Sequence, residues 1–96
     1  MVVIVSYDVN TMTKAGRRRL RKVARCCENY GQRVQFSVFE CNVNEKGWIQ
    51  LKHDLLACYH EKEDSLRFYH LGEDAGRRTE HFGIKPSIDY EAPLLV

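Results

Sequence analysis

Val2-Val3-Ile4-Val5 is a run of four β-branched residues, and it leads directly into Ser6-Tyr7-Asp8-Val9-Asn10. Branching at Cβ crowds a helix and suits a pleated strand, so the chain must open with a strand. A short, continuous apolar run of this kind reads as a strand buried on both faces. Alternation sends Ile4, Ser6 and Asp8 to one side and Val3, Val5 and Tyr7 to the other. Packing gives no reason for the polar end. A carboxylate at the carboxyl end of a central strand lies where open α/β sheets place their ligands. Its purely structural alternative is to cap the turn that follows.

That turn, Asn10-Thr11-Met12-Thr13, holds several residues able to cap a helix. From Lys14 to Tyr30 the apolar positions Leu20, Val23, Ala24 and Cys27 recur at helical spacing and define one narrow face. Arg17, Arg18, Arg21, Lys22 and Arg25 fan over the adjacent and opposite surface, while Arg19 lies on the other flank. Gly31 stands where a helix C′ glycine is expected. In Arg33 to Val43 the apolar parity switches: Val34, Phe36 and Val38 share one face, then Phe39, Cys41 and Val43 the other. A strand cannot exchange its buried face without a bulge, bend or turn. The stretch is therefore two short strands joined tightly near Ser37, or one long strand kinked there.

Trp48, Leu51, Leu55, Cys58 and Tyr59 form the stripe of a second helix, with Ile49 and Leu56 widening one edge. Ser65 to Leu71 alternates as a strand, and His81 to Ile84 reads as a short further one. The order β-α-β-β-α-β with an extra strand and tail predicts an α+β, ferredoxin-like βαββαβ sandwich with strand one inside the sheet. Residues 1–83 are assigned to this domain and 84–96 to a C-terminal strand and tail.

The net charge of +2 conceals an asymmetry. Through Glu40 the chain carries eight cations against three anions; the remainder has seven basic and ten acidic residues. The positive charge is concentrated in the first helix, as expected of a protein that meets a polyanion. Cys26, Cys27, Cys41 and Cys58 form no C-x-x-C pair, and the four histidines lack paired-ligand spacing, so neither zinc nor a disulfide framework is expected. Free thiols favour a reducing cytoplasm. The N-terminal apolar run is too short, and too soon followed by Asp8, for a signal peptide or membrane span.

Val3-Ile4-Val5-Ser6-Tyr7-Asp8, the arginine-rich helix, and Gly31-Gln32-Arg33-Val34-Gln35-Phe36-Ser37-Val38-Phe39-Glu40 follow one another in 96 residues. In this order, and with Lys85-Pro86-Ser87-Ile88-Asp89 near the end, the chain resembles the small CRISPR-associated adaptation protein family ("Cas two"). The resemblance implies a homodimer that binds DNA or RNA and acts with the CRISPR-associated integrase ("Cas one") in acquiring spacers. Some family members are described as Mg²⁺-dependent endonucleases on single-stranded RNA or double-stranded DNA. By position, the resemblance makes Asp8 the metal-binding carboxylate and Tyr7 its neighbour. Arg17, Arg19, Arg33 and Phe39 fall at positions similar to the family's other functional ones, and any two of Arg17, Arg18 and Arg19 could supply the first pair. It also implies that the last strand and tail, with Ile84 and Ile88, cross to the partner protomer.

The chemistry of the residues supports part of this. Mg²⁺ keeps several waters and needs only one or two carboxylates, and a twofold axis near Asp8 would supply the second from the partner. Asp8, Tyr7, Arg19 and Arg33 are the candidate catalytic residues, with the arginines binding phosphate oxygens. Arg17, Arg18, Arg21, Lys22 and Arg25 are the candidate nucleic-acid contacts, and Phe39, Ile84 and Ile88 the candidate dimer contacts. Two further readings stand beside the nuclease: a non-catalytic DNA-binding bridge between integrase subunits, and a toxin-like ribonuclease on the same fold.

Overall fold

The structure, a computed structural model, describes residues 1–72 and 78–84. The elements are β1 (Val2–Asp8), α1 (Lys14–Glu28), β2 (Gly31–Gln35), β3 (Val38–Asn42), α2 (Glu45–Cys58), β4 (Ser65–Leu71) and β5 (Thr79–Gly83). They form the expected ferredoxin-like α+β arrangement, with a five-stranded sheet in the order β2-β3-β1-β4-β5. β1 is central and antiparallel to both β3 and β4. β2 is antiparallel to β3, so each βα crossover returns a strand parallel to the one it left, one position removed.

The core lies between the sheet and the two helices. Val5 stands between Phe39 and Phe68, Val3 between Cys41 and His70, and Tyr7 beside Leu66. Val23, Cys26 and Cys27 of α1, with Trp48, Leu51 and Leu55 of α2, close this layer. β1 is thus buried on one face only. Ile4 and Ser6 are half-buried and Asp8 is exposed, because both helices cover the side of Val3, Val5 and Tyr7.

Both helices begin at side-chain caps. Thr13 Oγ1 accepts from Gly16 N at 3.0 Å and Asn44 Oδ1 from Gly47 N at 2.7 Å, each satisfying an amide with no partner inside its helix. The C′ expectation for Gly31 is corrected. α1 ends at Glu28 with Asn29 as its cap, and Gly31 is the first residue of β2. A Cβ at Gly31 would strike the Glu40 carbonyl oxygen and sit 2.7 Å from Cys41 Sγ, so glycine is needed for strand approach.

The parity switch is a tight hairpin: β2 ends at Gln35 and β3 starts at Val38. Arg33 pairs with Phe39 but Gln35 with Val38, which leaves Val34 as an extra, bulged residue. Ile49, expected at the edge of the α2 stripe, is 61% exposed, while Leu56 packs against the core. Phe39, expected in the core or at a dimer contact, is 0% exposed within this single chain. It is core, stacked on Tyr7 and paired laterally with Val5. Ile84 is 45% exposed just beyond β5. Ile88 and the remainder of the 84–96 tail lie outside the described residues.

Candidate active-site cleft and cationic helix face

The β1 ladder fixes the two residues at its carboxyl end in opposite directions. The Tyr7 ring points into the core, 6.2 Å from that of Phe39. Its amide donates to Ser37 O at 3.0 Å and its hydroxyl to Phe36 O at 3.4 Å, so Tyr7 holds the β2–β3 turn against the strand end. Burial raises the pKa of the phenol, which therefore remains a donor. Asp8 is exposed, and no side chain among the described residues is bonded to it.

Beside Asp8 opens a cleft of about 400 Å³ between α1 and the hairpin turn. Arg21 reaches it from α1 and Arg33 from β2, and Phe36 and Ser37 complete its far wall. The Arg33 guanidinium lies 5.1 Å above the Phe39 ring, which orients it, and 3.8 Å from Glu28. That surface ion pair is long and weak, and an incoming phosphate can displace it. The cleft thus brings together Asp8, Tyr7, Arg21 and Arg33.

Arg19 is not among its lining residues. Its Nε donates to Asp64 Oδ2 at 2.8 Å and its Nη2 to Asp64 Oδ1 at 3.1 Å, with Glu63 at 3.5 Å. The Nε–Nη2 edge of the guanidinium is committed to a fully buried carboxylate. Arg17, Arg18, Arg21, Lys22 and Arg25 are all exposed on α1. Arg17 donates to Thr11 O at 3.1 Å. Among the described residues Arg18, Arg21, Lys22 and Arg25 have no acidic partner, so their charge is open to an external anion.

Two polar groupings were not visible in the sequence. Ser65, the β4 residue paired with Asp8, has its Oγ 3.1 Å from His81 Nε2. The same nitrogen is 2.8 Å from Ile84 O, which only accepts. His81 Nε2 therefore carries the proton and cannot take one from Ser65, so this is not a nucleophile–base pair. At the opposite end of the sheet, Glu80 accepts from Lys52 Nζ at 2.6 Å and from His70 Nε2 at 2.7 Å, tying β5 to α2 and β4. No local spacing announces either grouping, because strand pairing creates both.

Among the described residues, Asp8 is the single carboxylate at the cleft. Among the described residues no group of three or more His, Cys, Asp or Glu side chains could hold a metal ion. One chain offers half of a two-carboxylate Mg²⁺ site, which suits an ion that retains most of its water. All four cysteines are free thiols. Among the described residues no helix is long and apolar enough to cross a membrane.

These features define a small ferredoxin-like domain with an arginine-lined cleft at the end of its central strand and an unneutralised cationic helix. The family model described as CRISPR associated protein Cas2 matches residues 1–79, and the chain belongs to that family. It is 53% identical over 96 residues to the CRISPR-associated endoribonuclease Cas2 1 of Moorella thermoacetica, covering 100% of both chains. It is 52% identical over 95 residues to the CRISPR-associated endonuclease Cas2 of Halalkalibacterium halodurans, covering 99% of both. The crystal structure of Streptococcus pyogenes Cas2 at pH 6.5 superposes with a TM-score of 0.70 and 58% identity, over 75% of this chain and 87% of that one.

Proposed function

We propose that this chain is a nucleic-acid-binding subunit of CRISPR adaptation and a Mg²⁺-dependent phosphodiesterase. The observation that carries this reading is the unpartnered Asp8 carboxylate beside a cleft lined by Arg21 and Arg33. The names of the relatives, endoribonuclease and endonuclease, support the same chemistry. The working form is a homodimer, in which Asp8 of each protomer would help to hold a Mg²⁺ ion. Exposed Phe36, Leu71 and Ile84 are apolar surface that a second copy would cover. Free thiols suit a cytoplasmic setting.

In this reading Arg33, oriented on Phe39, and Arg21 grip the phosphate and offset charge as it develops on the oxygens. Tyr7 keeps the hairpin turn, and so the far wall of the cleft, in register with Asp8. The cations of α1 hold the rest of the backbone without reading sequence. When bound, Mg²⁺ supplies Lewis acidity and a water of lowered pKa.

The α1 cations also favour a second reading, since they need no Asp8: a DNA-gripping bridge between subunits of the integrase. Cleavage of labelled duplex DNA and single-stranded RNA, with Mg²⁺ or EDTA, separates the two. For the nuclease, Asp8→Asn lowers the cleavage rate by at least about a hundredfold while duplex binding persists. Cleavage unchanged in Asp8→Asn would sink the Asp8 nuclease, and no cleavage with binding that weakens steeply as salt rises would leave the bridge.

A further inference from the structure

The catalytic proposal leaves Arg19 and Asp64 unused, yet they form the most heavily bonded polar centre among the described residues. Asp64 is 0% exposed, and its two oxygens accept from four donors. Arg19 of α1 supplies two at 2.8 and 3.1 Å, Asn10 N donates at 3.0 Å, and His60 N at 2.9 Å. A buried carboxylate persists as the anion only when its lone pairs are filled in this way. Burial works to raise its pKa, but the bonds from Arg19, His60 and Asn10 prevail and hold it below the ordinary carboxylate value.

The positions of these partners matter more than their number. Asn10 lies two residues beyond Asp8, and Ser65, next to Asp64, is the β4 partner of Asp8. The backbone is therefore gripped on both sides of Asp8: by the ladder to Ser65 and by the Asn10–Asp64 bond. Gly16 belongs to the same joint, since a Cβ there would collide with the Asn10 carbonyl oxygen. With no bond of its own, the Asp8 carboxylate can be only as well placed as this backbone.

We infer that Asp64 and Arg19 are positioning residues that fix the Asp8 end of β1 between α1 and β4, and that Arg19 serves this joint and does not grip nucleic acid. The inference deepens the metal-site reading and rests on it for its catalytic consequence. An ion shared across a twofold axis demands such placement, because an error in one carboxylate is repeated in the other.

The test uses Asp64→Asn, Arg19→Lys and Arg19→Gln in the full chain, with the core variant Val23→Ala as a control for lost stability. The Mg²⁺ concentration for half-maximal cleavage rises about tenfold in Asp64→Asn and Arg19→Gln, less in Arg19→Lys, and is unmoved in Val23→Ala. The slope of log binding constant against log salt stays at the wild-type value in Arg19→Gln. Loss of a phosphate contact would reduce it by about 0.9. Hydrogen exchange at residues 9–11 reports the joint without metal or substrate, and accelerates in Asp64→Asn more than in Val23→Ala. A reduced salt slope, or exchange and Mg²⁺ requirement no different from the control, overturns the inference. If the wild type cleaves nothing while exchange responds as stated, the nuclease reading fails and the joint stands.

Discussion

The Arg33 guanidinium lies 5.1 Å over the ring of Phe39, a residue wholly inside the core. A cation that lines the cleft is thus oriented by the same side chain that fills the space between β1 and β2. The coupling arises because Arg33 and Phe39 are direct cross-strand partners on the helix side of the sheet. Repacking the core beneath Phe39 therefore changes the cleft.

Phe39→Ala removes the platform for Arg33 and the stacking partner of Tyr7 together. Its expected cost is about 3–5 kcal/mol, read from urea unfolding. Because the residue is core, the loss is the same at widely different protein concentrations. A loss that grows on dilution would place Phe39 at an interface.

Tyr7→Phe deletes only a hydroxyl whose bond to Phe36 O is 3.4 Å long. Stability falls by less than about 1 kcal/mol and the cleavage rate stays within about threefold of wild type. A fall of a hundredfold would show that the phenol touches the reacting phosphate.

Lys22→Ala and Arg25→Ala each remove one open cation from α1. Each weakens duplex binding alike for all sequences and lowers the salt slope by about 0.9. Binding measured at several salt concentrations checks this, and an unchanged slope would assign both residues to solubility alone.

Asp64 sets a pH dependence. Its pKa is depressed in the folded chain, where the bonds from Arg19, His60 and Asn10 outweigh the opposing effect of burial. An unfolded Asp titrates near pH ~3.9, so above that value the contribution is fully present, and it is lost as pH falls toward the folded pKa. Urea unfolding between neutral and acid pH shows this as a falling limb below about pH 4. Asp64→Asn begins less stable and has a flatter limb, and a limb as steep as in the wild type would assign the acid response elsewhere.

Strands and helices were legible where one local period ran uninterrupted: β1, β4, α1 and the α2 stripe. The place of Asp8 at the carboxyl end of the central strand was legible, because the run of β1 alone sets it. Asp64 was not. It ends the run Glu61-Lys62-Glu63-Asp64, which reads as a solvated loop, and its burial depends on Arg19, 45 residues earlier. The same distance hid the true partner of Arg19, which within α1 looks like one more surface arginine. Gly31 misled for a different reason: one letter signals both a helix end and a close strand approach, and only β3 decides between them. Ile49 carried the apolar period of α2 onto a face that no other described element covers.

The bulge at Val34 bears on how copies of this chain can associate. β2 is an outer strand of the sheet, and a flat outer strand offers its amides and carbonyls to any neighbouring chain. One surplus residue breaks the regular spacing of those groups, and the charged Arg33 stands beside it. Growth by adding strand after strand is blocked on this side. Self-association through the remaining surfaces by a twofold operation would close on itself and stop at a pair instead of running on as a fibre.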